Sequence, residues 1–83
     1  MDNRTLKNLL YEQVARIGKA VSSPKRLELV ELLAQGEKTV ETLASELSVD
    51  IKLTSAHLRA LKEARLVTSR RDGKYIIYQL AGS

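Results

Sequence analysis

Read as hydrophobic and polar positions, the chain opens on Leu6, Leu9, Leu10, Val14, Ile17 and Val21, apolar residues recurring at steps of three and four. That period marks an amphipathic helix, predicted over about residues 4 to 21. Ser22-Ser23-Pro24 interrupts it. Ser23 suits the cap of a second helix, and Pro24 its first position, where a missing N–H removes no intrahelical bond. In that helix Leu27, Val30, Leu33 and Ala34 form the expected core stripe, widened by Leu29 and Leu32. Gln35-Gly36 closes it, glycine tolerating the left-handed backbone that ends many helices.

Thr39 is the next capping residue, opening a short helix with Val40, Leu43, Ala44 and Leu47 inward. Ser48-Val49-Asp50 leaves room only for a tight turn, with Asp50 placed to cap a further helix. That fourth helix is predicted from Ile51 to about Ala64, with Thr54, Leu58 and Leu61 inward. After Leu66 the period falls to two. Val67 to Arg71 and Lys74 to Leu80 read as strands joined at Asp72-Gly73, a strong short-hairpin signal. Ile76, Tyr78 and Leu80 should face the core, with Tyr75 and Ile77 pointing away. The resulting fold class is mainly α with a β-hairpin, as one domain over residues 1–83.

Composition narrows the function classes. An apolar fraction of 43% suits a globular fold. Cysteine is absent, which excludes disulfides and thiolate metal sites. No apolar run approaches a bilayer span, and the start of the chain lacks a signal peptide's apolar stretch. The expected compartment is the cytosol. Between Lys52 and Lys74 lie seven basic residues and two acidic ones, a net of +5, against +4 for the whole chain. The remaining residues therefore sum to −1. Such concentration is the footprint of a surface for nucleic acid.

The pattern beneath that charge is a helix-turn-helix over residues 40–64, with a wing after it over 67–80. Ala44 is small where the two helices meet, and Val49 can plug the gap in the turn. With Thr54, Leu58 and Leu61 inward, Ile51, Lys52, Ser55, Ala56, Arg59 and Lys62 fall on the opposite face. A major groove admits one such helix, its N-terminal half nearest the base edges. Lys52 and Ser55 can donate to bases or phosphates. Ile51 and Ala56 can make apolar contacts, for instance to a thymine methyl. Arg59 and Lys62, further along, suit phosphates, which hold register without reading sequence. Arg70, Arg71 and Lys74 surround the hairpin tip, shaped to lay cations along the DNA backbone or into the minor groove. Alone such a hairpin reads as an ordinary charged surface; directly after a basic recognition-type helix it reads as a wing.

His57, the single histidine, falls beside the core stripe rather than on the DNA face. One imidazole without thiols makes a poor transition-metal site, so a structural or phosphate-contacting role is expected, with no metal and no cofactor. No nucleophile–base pair, glycine-rich phosphate loop or paired carboxylates suggest an enzyme. On the first helix Leu6, Leu9, Leu10, Tyr11 and Val14 are expected to remain exposed after the second helix covers one side. The alternative is a helix buried within its own domain. A wide leucine-rich face on so small a chain points to a symmetry mate.

Four segments carry a family resemblance: Gly18 to Leu27, Thr39 to Ala44, Ser55 to Ala64 and Arg71 to Leu80. In this order and spacing the chain resembles the ArsR/SmtB family of bacterial repressors. The resemblance implies a winged helix-turn-helix homodimer that binds an operator in double-stranded DNA, with Ser55 and its neighbours touching it. Thiol-sensing members open the third helix with a Cys-x-Cys pair, where this chain has Thr39 and Glu41. Zinc-sensing members carry ligands on a helix after the wing, and this sequence ends at Ser83 without one. Neither inducer site carries over, and part of the usual dimer interface would be missing. Arg65-Leu66-Val67 resembles a subgroup fused to a rhodanese-like domain, which suggests that residues 1–83 are the DNA-binding part of a longer protein. The expected function is therefore a sequence-specific DNA-binding repressor. The rival readings are a winged-helix module for protein–protein contact and the regulatory domain of a fused enzyme.

Overall fold

Each helix begins where a side chain answers the free N–H groups of its first turn. Asp2 accepts from Thr5 N at 2.8 Å, Ser23 from Arg26 N at 3.4 Å, Thr39 from Thr42 N at 3.1 Å and Asp50 from Leu53 N at 2.7 Å. A computed structural model, which describes residues 2–82, shows four helices beginning at these caps. They are α1 (Asn3–Ala20), α2 (Pro24–Ala34), α3 (Val40–Leu47) and α4 (Ile51–Glu63). Three strands complete the fold: β1 (Lys38–Thr39), β2 (Val67–Asp72) and β3 (Tyr75–Leu80). The caps expected at Ser23, Thr39 and Asp50 are all formed, and Pro24 occupies the start of α2.

The core gathers Leu29 and Leu33 of α2, Val40, Leu43 and Leu47 of α3, Leu58 and Leu61 of α4, with Ala20, Ala64 and Val67. Thr54 is the one polar side chain buried with them among the described residues. Its hydroxyl donates to the Asp50 carbonyl at 2.8 Å, so this buried donor is not orphaned. Val49 packs against this core from the turn between α3 and α4, as its place in the sequence suggests. Ala44 is buried between the helices.

Three expectations are corrected. On α2, Leu27 is 46% exposed and Ala34 is also exposed, while Leu29 and Leu33 are buried. The helix is apolar on several sides, so periodicity alone does not choose its face; packing against α3, α4 and β3 does. In the hairpin, Asp72 pairs with Tyr75, so the two turn residues are Gly73-Lys74 rather than Asp72-Gly73. Only Gly73 has positive φ, at 62°, and glycine at the first central position is the type II′ requirement. Finally, Ile76 is exposed, whereas Tyr78 and Leu80 reach the core. Ile76, paired with Arg71, lies one step from the turn and outside the apolar residues that pack on the core.

A short strand went unpredicted. Lys38 and Thr39 pair antiparallel with Tyr78 and Ile77, giving a three-stranded sheet in the order β1-β3-β2. This sheet fixes the hairpin to the α2–α3 connection. By contrast α1 joins the core only through Ala20. The rest of the helix projects, and the radius of gyration is 14.4 Å. A compact chain of this length would have about 12 Å.

Candidate nucleic-acid interface

Anchored by Thr54, Leu58 and Leu61, all with no exposed surface, α4 can present only its opposite side to solvent. Lys52, Ala56 and Arg59 lie exposed there, with Ile51 at the leading turn and Ser55 half-buried. Lys52 and Arg59 make no hydrogen bond or ion pair among the described residues. Lys62 is different. Its ammonium donates to Ser69 Oγ on β2 at 2.7 Å, tying the last turns of α4 to the wing.

The wing cations are each held in their own way. Arg71 Nε donates to the Gly73 carbonyl at 3.3 Å across the hairpin end. Lys74 lies over the Tyr75 ring, 5.4 Å from its centroid. Arg70 is committed to a carboxylate, Glu37, which sequence reasoning did not place near the wing. The two are 33 residues apart, and only the unpredicted pairing of β1 with β3 brings them together. The Arg70 hydrogen bond holds the Glu37 carboxyl below its usual range, opposed by desolvation and helped by the Arg70 charge.

The structure thus brings Ile51, Lys52, Ser55, Ala56, Arg59 and Lys62 onto one side of α4, and the Lys62–Ser69 bond joins that side to β2. Such a surface carries donors and few acceptors, suited to an anionic partner with closely spaced oxygens. His57 sits half-buried on the flank of α4. No group of three or more His, Asp or Glu among the described residues is placed to hold a metal ion. No helix among them is long and apolar enough to cross a membrane.

On α1, Leu6, Leu9, Leu10, Tyr11 and Val14 are 42–68% exposed and Ile17 40%. The exposure expected of this face is present, but α2 does not cover a side of the helix. Lys7 lies 5.9 Å from the Tyr11 ring centroid, a stacking contact on this face.

Comparison with known proteins bears on this arrangement. Residues 23–69 match the family described as bacterial regulatory protein, arsR family. An HTH-type transcriptional regulator of Mycobacterium tuberculosis is 45% identical over 76 residues, covering 92% of this chain and 34% of that protein. The arsenical resistance operon repressor of Staphylococcus xylosus is 34% identical over 70 residues, covering 84% of this chain and 67% of the repressor. Among solved structures, the homodimeric winged helix-turn-helix DNA-binding domain of a Mycobacterium bovis protein superposes with a TM-score of 0.85 at 43% identity. That match covers 99% of this chain and 74% of the other. The chain spans only 34% of the first of these relatives and 64% of another mycobacterial regulator.

Proposed function

This chain belongs to the ArsR family of bacterial regulators, and we propose that it binds a dyad operator in duplex DNA as a homodimer and represses transcription there. The observation that carries the reading is the exposed, unpaired state of Lys52 and Arg59 on a helix whose other side is locked into the core. Placed in a major groove, Lys52 and Ser55 would meet base edges or phosphates, Ile51 and Ala56 thymine methyls, and Arg59 and Lys62 phosphates. Arg71 and Lys74 would run along the flanking backbone, with Arg70 held beside them by Glu37. The cytosol is the compartment where such a target lies.

Dimerisation through α1 is supported by the run of large apolar side chains that the protomer leaves in water, a surface of the kind that marks an association site. It is further supported by the homodimeric state of the M. bovis domain. A two-fold protein reading two half-sites about one helical turn apart would give the operator its symmetry. Selection of bound duplexes from a random pool, then binding measurements across salt concentrations, tests the proposal. A palindromic consensus bound with steep salt dependence is the expected outcome. No enrichment over random duplex would overturn it.

A further inference from the structure

Away from the basic side of α4, the end of α1, the start of α2 and the last turn of α4 line an open cleft of about 290 Å³. Three cations line it, Arg16 and Lys19 from α1 and Arg26 from α2, against a single acid, Glu63. Ala60 and Ala64 of α4, being small, leave the space open. The two arginines are held rather than free. Arg26 Nη1 donates to the Ala20 carbonyl at 3.2 Å, and an Arg16 terminal nitrogen donates to Gln13 Oε1. Yet Arg16 Nε and Arg26 Nε are both buried, and neither has a hydrogen-bond partner among the described residues. Glu63 forms no ion pair with either.

Buried charged donors without acceptors are costly, and three like charges around one space raise that cost. An oxyanion relieves both. A guanidinium edge, fixed in plane by its own backbone or amide contact, offers the geometry that carboxylate and phosphate oxygens fit. Glu63 on the same wall disfavours a second negative charge and favours a hydroxyl or ammonium donor. The volume lies just below the usual range of ligand sites, about 300–1,000 Å³, which suits a small metabolite.

We propose that this junction is a binding site for a small organic anion, a carboxylate or phosphate ester bearing a hydroxyl or amino group. Arg16, Arg26 and Lys19 take its oxyanion and Glu63 its donor. Lys19 falls away from the apolar positions of α1, whereas Arg16, two turns on from Leu9, borders the face that a second copy would cover, so the site lies at the edge of that contact. Bound there, the anion would bridge α1, α2 and α4 and so couple the dimer helix to the DNA-facing helix. Only this coupling rests on the proposed function; the site itself does not.

The test reads the protein without DNA. At constant ionic strength, the intact chain is titrated with inorganic phosphate, glycerol 3-phosphate, lactate and serine, following arginine Nε–H resonances by NMR and heat by calorimetry. The phosphate and carboxylate arms separate the two sources of the oxyanion. Saturable shifts at the Nε–H groups of Arg16 and Arg26, weakened about tenfold or more in Arg16→Gln, are expected from losing a charge-assisted hydrogen bond. Arg26→Gln also loses the bond to Ala20, so Arg16→Gln and Lys19→Gln, whose side chains hold no other element, decide the matter. No saturation by any of the four, or equal saturation in Arg16→Gln, would overturn the site. DNA binding measured on the same samples fails or succeeds independently.

Discussion

Arg70 on β2 grips both carboxylate oxygens of Glu37, in the turn between α2 and β1, at 2.6 and 2.8 Å. The bidentate contact ties the middle of β2 to the connection that precedes α3. It also occupies a cation otherwise free for phosphate. The Arg70 hydrogen bond lowers the Glu37 carboxyl and the same contact raises Arg70. Because the folded carboxyl is depressed, the pair contributes above the ordinary glutamate range and is lost as pH falls through the lowered value. Both side chains are about half exposed, so solvent screens the pair and its effect on stability is small.

Glu37→Gln is therefore expected to leave the melting temperature nearly unchanged while freeing Arg70. Non-specific DNA affinity should rise a few-fold, with a salt slope steeper by about 0.9, the value for one added phosphate contact. Fluorescence anisotropy across 50 to 200 mM salt, on the order of the range over which such slopes are resolved, checks it. An unchanged slope would place Arg70 away from phosphate. In the parent protein, Arg70 side-chain resonances should move with a midpoint below that of an ordinary glutamate.

Removing Arg59 should weaken binding to all duplexes alike and flatten the salt slope by about one unit, the behaviour of a phosphate contact. Lys52→Ala, nearer the base edges, should weaken binding and also relax preference at one position of each half-site. Both side chains are exposed, so circular dichroism and thermal melts should match the parent. If neither substitution alters affinity, α4 is not the helix that meets DNA.

A charge in the middle of the α1 stripe should split the dimer. Val14 is 68% exposed, so Val14→Glu costs the protomer little, while across a two-fold interface it sets two carboxylates in apolar surroundings. Sedimentation should report a monomer, with affinity for a full dyad reduced toward that for a half-site. A dimer that persists in this variant would exclude α1 as the contact.

Arg65 adopts φ 63°, the left-handed region, where a side chain with Cβ is strained by about 1–2 kcal/mol. Arg65→Gly relieves that strain but adds freedom to the unfolded chain, about 0.5–1 kcal/mol in the other direction. The balance favours the variant by several tenths of a kcal/mol, about 2–4 °C in melting temperature for a domain of this size. A lower melting temperature would show that the arginine side chain contributes more than its backbone costs.

Much of this molecule is decided within a few residues of chain, and that part was legible. The caps at Ser23, Thr39 and Asp50 bond only three residues onward. The inward set Thr54, Leu58 and Leu61 comes from helical period alone, and with it the exposed basic side of α4. Local geometry also requires glycine at the positive-φ position of the hairpin, though the register moved by one residue. Other features needed contacts made across the chain. Leu29 rather than Leu27 is buried because α3, α4 and β3 close on one side of an α2 that is apolar on several. β1 exists only because β3 offers it an edge. The Glu37–Arg70 contact depends on that strand, and no pattern of neighbours along the sequence announces it. So the sequence by itself determined which helix carries the unpaired cations. Only tertiary structure decided which wing cation is held back, since ion pairs between distant residues depend on where the sheet brings them.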